Sequence, residues 1–367
     1  MNTVTPRVFI AATRQNDGKT TVSLGLMAAL QKFYPRVGFI KPVGQRFVEI
    51  DEQKIDEDTV LMDQVYRLNC PLVDMSPIAV EPDFTRKYLQ SSNYDALVTK
   101  IQSAFDRVAW EKDFVLCEGS GHAGVGSVFD LSNARVAKIL RAKVIIVTQG
   151  GIGKPIDEVS LNQALLDSED VEVVGVILNK VTPDKLGYIS EFAKRGFKRK
   201  GVHLLGVIPH QSILTKPAIE GIREELRAEV LNQDHGLGNN VEEVVVGAMS
   251  VSGALAHFKP GVLLILSADR EDLLVAAADK ADTLAGIVLA DGLRPSASML
   301  SVVEKMSCPV LLAAQDSYSV ASKVHDLIVK TRPNETSKIT MIRDLIAKHV
   351  DVDRIVKAIR STKRSSE

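Results

Sequence analysis

Short apolar runs alternate with helix-length amphipathic stretches along most of this chain, and that alternation limits the folds it can adopt. Six runs are rich in Val and Ile and lack the polar alternation of a half-exposed sheet: Val8–Ala12, Val37–Ile40, Phe114–Cys117, Val144–Thr148, Val173–Leu178 and Leu204–Ile208. Such strands are typically buried on both faces of a parallel sheet. The pattern therefore predicts an α/β fold with a parallel sheet and helices on both of its faces.

The pattern changes after Ile208-Pro209-His210, which suggests a domain boundary. A charged helical stretch and a connector containing Gly and Asn follow, and then a second, shorter strand–helix alternation begins near Val244. A chain of 367 residues has room for two or three domains. We expect a first domain at 1–215, a smaller α/β domain at 216–335, and a C-terminal helix with a fraying polar tail at 336–367.

Composition excludes several classes of partner. Lys plus Arg is 45 and Asp plus Glu is 46, so the chain has no strong field for a nucleic acid. It contains no apolar run of about 18 residues that could span a membrane. The cysteines Cys70, Cys117 and Cys308 are far apart and odd in number, which fits a reducing cytoplasm. We expect a cytoplasmic protein that binds neither nucleic acid nor membrane.

The segment after the first strand has the context of a phosphate-binding loop. An apolar strand at Val8–Ala12 leads into a polar loop, and Gly18 then precedes a predicted helix. A glycine lets backbone N–H groups approach phosphate oxygens, and the start of a helix adds unsatisfied N–H groups and the positive end of its dipole. Lys19 would supply charge for the β- and γ-phosphates, and Thr20 a hydroxyl for Mg²⁺. The pattern GxxxxGK[ST] would place a glycine at 13, where this chain has Thr13.

We therefore predict nucleotide contacts from one short segment: Thr13, Asp17, Gly18, Lys19, Thr20 and Thr21. Arg14 lies five residues before Lys19, the offset at which deviant Walker A proteins carry a second lysine that reaches a partner's phosphates. Arg14 either acts in that way across a homodimer or is a solvated loop residue. We expect a homodimer.

The spans ATRQNDGKTTVSLGLMAAL and RVGFIKPVGQ resemble the dethiobiotin synthetase family, and still more the synthetase-like N-terminal region of long phosphotransacetylases. The resemblance covers about residues 6–212 and implies ATP and Mg²⁺ as cofactors. It implies that Lys41, before Pro42, lies beside the phosphates and acts with Lys19 on the transferring group. It also implies that Asn179 contacts the base and that Pro209 belongs to the adenine-side loop.

The same resemblance implies a magnesium site formed by Thr20, Asp58 and Glu118. Glu118 also follows an apolar strand, at the edge where open α/β sheets bind ligands. A carboxylate there can hold Mg²⁺, or it can simply favour a helix dipole. Lys41 has an alternative as a surface lysine before a turn. Asp58 lies in an acidic run that a solvated face would also explain.

The second half resembles the DRTGG domain over about residues 225–335. Four segments carry the resemblance: VVVGAMSVSGAL, SADREDLLVAAA, GIVLADGLRP and AAQDSYSVA. The namesake motif reads Ala268-Asp269-Arg270-Glu271-Asp272 and lacks its Thr-Gly-Gly part. We expect no acetyltransferase domain after the second domain, because the residues left after 335 are too few for a further large domain.

Two functions remain open. The first is a nucleotide-responsive regulatory protein related to the N-terminal part of phosphotransacetylases. The alternative is an ATP-dependent carboxylate ligase of the dethiobiotin synthetase type, with a small carboxylate or metabolite as second ligand; ATP hydrolysis is a further candidate reaction. Dethiobiotin synthetases carry Gly-Thr-Asp-Thr before the phosphate turn, where this chain has Ala12-Thr13-Arg14-Gln15. An Arg in place of an acid reverses the charge near a diamino substrate, which favours the regulatory function.

Overall fold

The structure is a computed structural model that describes residues 1–232, 235–327 and 329–361. Residues 362–367 of the predicted polar tail, and 233–234 of the predicted connector, lie outside the described residues. The chain divides into two compact units. Unit 1 comprises Met1–His210 together with the chain from Arg332 onward, and unit 2 comprises Gln211–Thr331.

The strands and helices follow one another along most of the chain. The strands are β1 Arg7–Ala12, β2 Val37–Ile40, β3 Val43–Gly44, β4 Phe47–Ile50, β5 Gln53–Asp56, β6 Ile78–Ala79, β7 Phe114–Glu118, β8 Lys143–Gln149, β9 Val173–Val181, β10 Leu204–Pro209, β11 Glu229–Val230, β12 Glu243–Val246, β13 Val262–Ser267, β14 Gly286–Ala290 and β15 Val310–Leu312. The α-helices are α1 Lys19–Leu30, α2 Glu57–Tyr66, α3 Leu72–Met75, α4 Phe84–Gln90, α5 Tyr94–Ala109, α6 Asn133–Ile139, α7 Gly153–Ser168, α8 Leu186–Arg199, α9 Ile219–Leu226, α10 Val251–Leu255, α11 Glu271–Ala278, α12 Ala297–Val303, α13 Ser317–Asp326, α14 Thr336–His349 and α15 Val352–Arg360.

Unit 1 is built on a six-stranded sheet in the order β10-β9-β8-β1-β7-β2. Every neighbouring pair is parallel. Strand β1 lies inside the sheet and is buried along its whole length, as expected for a strand covered on both faces. The predicted α/β fold with a central parallel sheet is confirmed. Because the strands are parallel, their carboxyl ends share one edge, and the predicted site residues follow those ends.

The C-terminal helices α14 and α15 belong to unit 1. Helix α14 packs along α1, so closely that a Cβ added at Gly25 would overlap the side chain of Ile346 and lie 3.0 Å from the carbonyl oxygen of Ile342. Lys143 Nζ donates to the carbonyl of Ala358 at the end of α15 (2.7 Å). The chain therefore returns to unit 1 after unit 2. The domain limits 1–215, 216–335 and 336–367 stay predictions.

Unit 2 contains a smaller sheet in the order β11-β15-β14-β13-β12. Strands β12 to β15 are parallel, and the short β11 pairs with β15 in the antiparallel sense. Alternate residues of β13 enter two hydrophobic clusters: Leu264 and Leu266 pack into one, and Leu263 and Ile265 into the other. Both faces of this sheet are thus covered, as a smaller α/β domain requires.

Within residues 1–232, 235–327 and 329–361, every helix is either too short or too polar to cross a bilayer.

Candidate functional site

The loop between β1 and α1 ends at Gly18, which forms the N-cap of α1. Its φ of 95° lies in the left-handed region, and a Cβ here would collide with the amide nitrogen of Asn179, so the position needs glycine on both grounds. Among the described residues, no side chain caps this helix start and no acid lies in its first turn. Its free N–H groups and dipole therefore suit an anion.

Asp17 braces this loop from inside. It is fully buried, and its Oδ2 accepts hydrogen bonds from Thr13 Oγ1 (2.7 Å) and from the backbone N–H of Arg14 (2.7 Å). Burial raises the pKa of the Asp17 carboxyl above its ordinary value. Asn179 Nδ2 donates to the carbonyl oxygen of Asp17 (2.9 Å). The structure therefore places Thr13, Asp17 and Asn179 together, as the support of the loop.

Two cations link the loop to neighbouring elements. Arg14 Nε lies 3.2 Å from Glu158 Oε1 of α7, so this arginine has an acidic partner within its own chain. Lys180 Nζ donates to the carbonyl oxygen of Asn16 (2.6 Å), whose φ is 64°. Both contacts hold the loop against the strands and helix that surround it.

Lys41 directly follows β2, and its ammonium group lies among three carboxylates. Lys41 Nζ contacts the carboxylate of Asp58, lies 3.0 Å from Asp56 Oδ1 and lies 3.8 Å from Glu118 Oε1. All four side chains are at most 8% exposed. Burial lowers the pKa of Lys41, but the charges of Asp58, Asp56 and Glu118 outweigh burial, so its pKa lies above the ordinary value. The lysine is therefore charged.

Glu118, the last residue of β7, joins this cluster to the phosphate loop. Thr20 Oγ1 donates to Glu118 Oε1 (3.0 Å) from the first turn of α1. Burial, and after it the charge of Asp58, raises the pKa of the Glu118 carboxyl to about 7. Within the part of the chain that the structure describes, Glu118 Oε2 and Asp56 Oδ2 are buried with no hydrogen-bond partner. These oxygens remain able to accept a ligand.

The sequence points to Asp58 as a site residue and not to Asp56. Asp56 ends β5 and caps α2, where it accepts a hydrogen bond from the backbone N–H of Asp58 (2.9 Å). The sequence spacing of the two acids could have predicted that they lie together, because an N-cap residue and the residue two positions later belong to the same helix end.

The oxygen atoms of this cluster could supply part of the ligand set of a Mg²⁺ ion, with phosphates and water supplying the rest. Across the described ranges, no three His, Cys, Asp or Glu side chains are arranged as a ready cage for a metal ion. Mg²⁺ usually binds through one or two carboxylates plus substrate phosphates and water, so it does not need such a cage. Thr20, Asp58 and Glu118 converge around Lys41 and Lys19 and could provide the protein's share of the ligands.

Pro209 lies away from this cluster, whereas Thr21 lies beside it. Thr21 is the third residue of α1, next to Thr20. Pro209 ends the edge strand β10, three strands from β1, which is on the order of 14 Å at normal strand spacing. Pro209 pairs with Val181 of β9, the strand that also carries Asn179. Both Asn179 and Pro209 thus lie on the β9–β10 side of the loop.

Comparison with known proteins agrees with this division of the chain. The AAA domain family matches residues 6–218, and the DRTGG domain family matches residues 221–327. The resemblance to long phosphotransacetylases is also confirmed. A phosphate acetyltransferase of Pseudomonas aeruginosa is 27% identical over 94% of this chain and 51% of its own length. That of Nitratidesulfovibrio vulgaris is 25% identical over 98% of this chain and 52% of its own length. The chain spans about half the length of these curated relatives.

Among solved structures, the septum site-determining protein MinD of Pyrococcus horikoshii, complexed with Mg-ADP, is 16% identical, with a TM-score of 0.36. The match covers 57% of this chain and 84% of MinD, and the likeness is too loose to argue from. The family matches do not depend on it. With more than half of its residues matched, this chain belongs to the AAA domain family, as a P-loop nucleotide-binding domain followed by a DRTGG domain.

Proposed function

We propose that unit 1 binds ATP, or another nucleoside triphosphate, together with Mg²⁺, and that the protein is a nucleotide-responsive regulatory protein related to the N-terminal part of phosphotransacetylases. One observation carries the proposal. The uncapped start of α1 at Gly18 opens beside Lys19 and beside a buried cluster of Lys41, Asp58 and Glu118. An anion-binding helix start next to metal-compatible oxygens is the combination that a magnesium nucleotide needs.

In this proposal the phosphates lie against the loop amides and Lys19. Burial lowers the pKa of Lys19, whereas Glu118 acts in the opposite direction. Thr21 lies in the same first helical turn and adds a hydroxyl there. Thr13 and Asp17 would act through the loop that they brace rather than by direct contact. Asn179 and Pro209 stay the proposed base-side residues.

The charges near the helix start support a requirement for a divalent cation. Lys19 and Lys41 carry two positive charges, and Asp56, Asp58 and Glu118 carry three negative charges when all are ionised. A polyphosphate approaching the fully ionised set meets one surplus negative charge. Thr20, Asp58 and Glu118 would hold the magnesium ion, whose two positive charges would offset that surplus and the charge of the phosphates.

The proposed reaction class is phosphoryl transfer to water or to a carboxylate, assisted mainly by positioning and electrostatics. Lys41 would stabilise charge on the transferring group, and Lys19 would hold it in place. The regulatory function is favoured over a dethiobiotin-type ligase because this chain has Arg14 where the synthetases carry an acid. An ammonium group of a diamino substrate would meet a guanidinium there. A small carboxylate or metabolite ligand and a homodimer remain parts of the proposal.

Titration calorimetry with ATP, ADP and GTP, each with Mg²⁺ and with EDTA, tests the nucleotide site. We expect binding that is strong with Mg²⁺ and weak with EDTA. No binding of any nucleotide in the presence of Mg²⁺ would contradict the proposal.

Product analysis separates the two functions. ADP release is measured with the full chain, Mg-ATP and a panel of small carboxylic acids, one at a time. We expect release that does not depend on the acid supplied. A sharp rise with a single acid would favour the ligase.

Sedimentation with and without Mg-ATP tests the homodimer.

A further inference from the structure

The ammonium group of Lys41 occupies the position among Asp56, Asp58 and Glu118 in which a small cation could bind. It touches Asp58, lies within hydrogen-bonding distance of Asp56 Oδ1 and is 3.8 Å from Glu118 Oε1. These carboxylates come from three elements: the end of β5, the first turn of α2 and the end of β7. A buried cluster of acids is unfavourable without a compensating cation, and Lys41 supplies it.

One lysine does not satisfy all of these acids. An ammonium group has three donors, and 3.8 Å to Glu118 is too long for a hydrogen bond. Within the described residues, Glu118 Oε2 and Asp56 Oδ2 are left buried without a partner, although both side chains are at most 2% exposed. The cluster therefore has capacity for more positive charge than Lys41 provides.

We propose that Lys41 holds the place of the divalent cation while the protein is free of nucleotide, and that Asp56 is part of the set for which the two compete. The idea rests on the proposed magnesium nucleotide site and adds an order of binding to it. A divalent ion arriving alone would lie against the buried ammonium of Lys41, and like charges at that distance repel strongly. Phosphate oxygens arriving with the ion give Lys41 a new anionic partner and leave the carboxylates to the metal.

This competition makes the cation and the nucleotide depend on each other. By linkage, the factor by which nucleotide strengthens cation binding equals the factor by which the cation strengthens nucleotide binding. Removing the charge of Lys41 should weaken that dependence equally in both directions. The cation then binds without nucleotide.

The test uses Mn²⁺ as the probe, the full chain, and electron paramagnetic resonance of free Mn²⁺ without nucleotide. We expect Lys41→Met to bind Mn²⁺ at least tenfold more tightly than the wild type. Adding Glu118→Gln to that variant should remove the gain, which assigns it to this cluster. Lys54→Met is the matched control, because Lys54 pairs with Glu81 on the exposed surface. It should behave like the wild type.

Equal Mn²⁺ affinity in the wild type and in Lys41→Met would overturn the proposal, as would a gain that survives Glu118→Gln. If Lys41→Met fails to fold, the wild type decides. Its Mn²⁺ affinity should rise at least tenfold with ADP present, and an unchanged affinity in a wild type that binds ADP would refute the competition. These outcomes are separable from the proposed function, because the Lys41→Met measurement contains no nucleotide. A wild type that binds no nucleotide would defeat the nucleotide site alone.

Discussion

Units 1 and 2 each have charged residues at the carboxyl ends of parallel strands, but these residues are buried in unit 1 and partly exposed in unit 2. In unit 1, Lys41 and Glu118 follow or end strands and are buried. In unit 2, Arg270 follows β13 and pairs with Asp272 in partial contact with solvent, while it also donates to the carbonyl oxygens of Gly247 and Met249. The buried set keeps unpartnered oxygens, whereas the guanidinium of Arg270 donates to Asp272 and to two backbone carbonyl oxygens.

This difference shows which strand ends carry evidence of a ligand. Burying a charge is expensive, so a protein that keeps Asp56 and Glu118 buried with unpartnered oxygens has a reason beyond stability. Asp316 in unit 2 has an ordinary structural role, because it caps α13 through the backbone N–H of Ser319. In unit 2 the residues of the DRTGG motif form the exposed pair Arg270–Asp272. In unit 1 a buried cluster of charged side chains around Lys41 lies beside the phosphate loop.

The largest effect should come from Lys19. Lys19→Ala removes the charge closest to the helix start in unit 1, so we expect nucleotide affinity to fall more than tenfold, which is about 1.4 kcal/mol or more. Titration calorimetry with ATP and Mg²⁺ measures it. Lys32→Ala is the matched control, because Lys32 is exposed just after the other end of α1. Equal affinities in Lys19→Ala and the wild type would remove the functional contrast between the two units.

Glu118→Gln should have the next largest effect. The substitution keeps the shape of the side chain and removes a buried charge that we assign to the magnesium ion, so ATP affinity with Mg²⁺ should fall about tenfold. With EDTA, the variant should bind ATP no more weakly than the wild type, because the lost charge only repelled the phosphates. The exposed Glu49 of β4 offers the control Glu49→Gln, which should leave both affinities unchanged. A loss of the same size with EDTA would show that Glu118 acts on the fold rather than on the cation.

Much of the fold follows from the sequence because buried parallel strands have an unmistakable pattern. Each apolar run predicted for unit 1, from Val8–Ala12 to Leu204–Ile208, lies within a strand of its sheet. The phosphate loop was also recognisable, since a strand, a glycine and a lysine follow one another within a dozen residues. The interior of the loop was not, because nothing in the local sequence says that Asp17 points inward to Thr13 and Arg14.

Two features needed the tertiary structure. The hairpin of β4 and β5 turns at Asp51-Glu52, where both residues have positive φ, although neither is a glycine. Because no glycine marks the turn, the sequence of this segment reads as an acidic run and does not predict the hairpin. The contact between Asp56 and Lys41, which the hairpin makes possible, therefore cannot be predicted either. Helix α14 was expected from its own pattern, but the partner of an amphipathic helix is not written in its periodicity. Its packing on α1 depends on Gly25, far away in sequence.

That packing gives a smaller, structural test within unit 1. Gly25→Ala places a methyl group against Ile346, 2.8 Å from its Cβ, so either α1 or α14 must shift. Overpacking costs about 1–3 kcal/mol, and the better helix propensity of Ala returns up to about 1, so we expect a net loss of about 1 kcal/mol in the free energy of unfolding.

Urea unfolding followed by circular dichroism measures the loss. Gly187→Ala is the matched control, because Gly187 lies in the exposed part of α8, where an added Cβ meets no atom within 4 Å of it among the described residues. It should be stabilised slightly, by about 0.5–1 kcal/mol. Equal behaviour of the two variants would mean that α14 does not pack on α1 in solution.

The smallest effect is expected from Arg270→Ala in unit 2, and it is the sharpest test of the contrast between the units. Arg270 belongs to the namesake motif and donates to Gly247, Met249 and Asp272, so a ligand-binding role for the motif would depend on it. Its pairing with Asp272 is exposed enough to be screened by solvent. Titration calorimetry with ATP and Mg²⁺ should therefore give an affinity within about twofold of the wild type. A tenfold change would show that unit 2 sets the nucleotide affinity of unit 1, and burial of charge would then no longer distinguish the strand ends that matter.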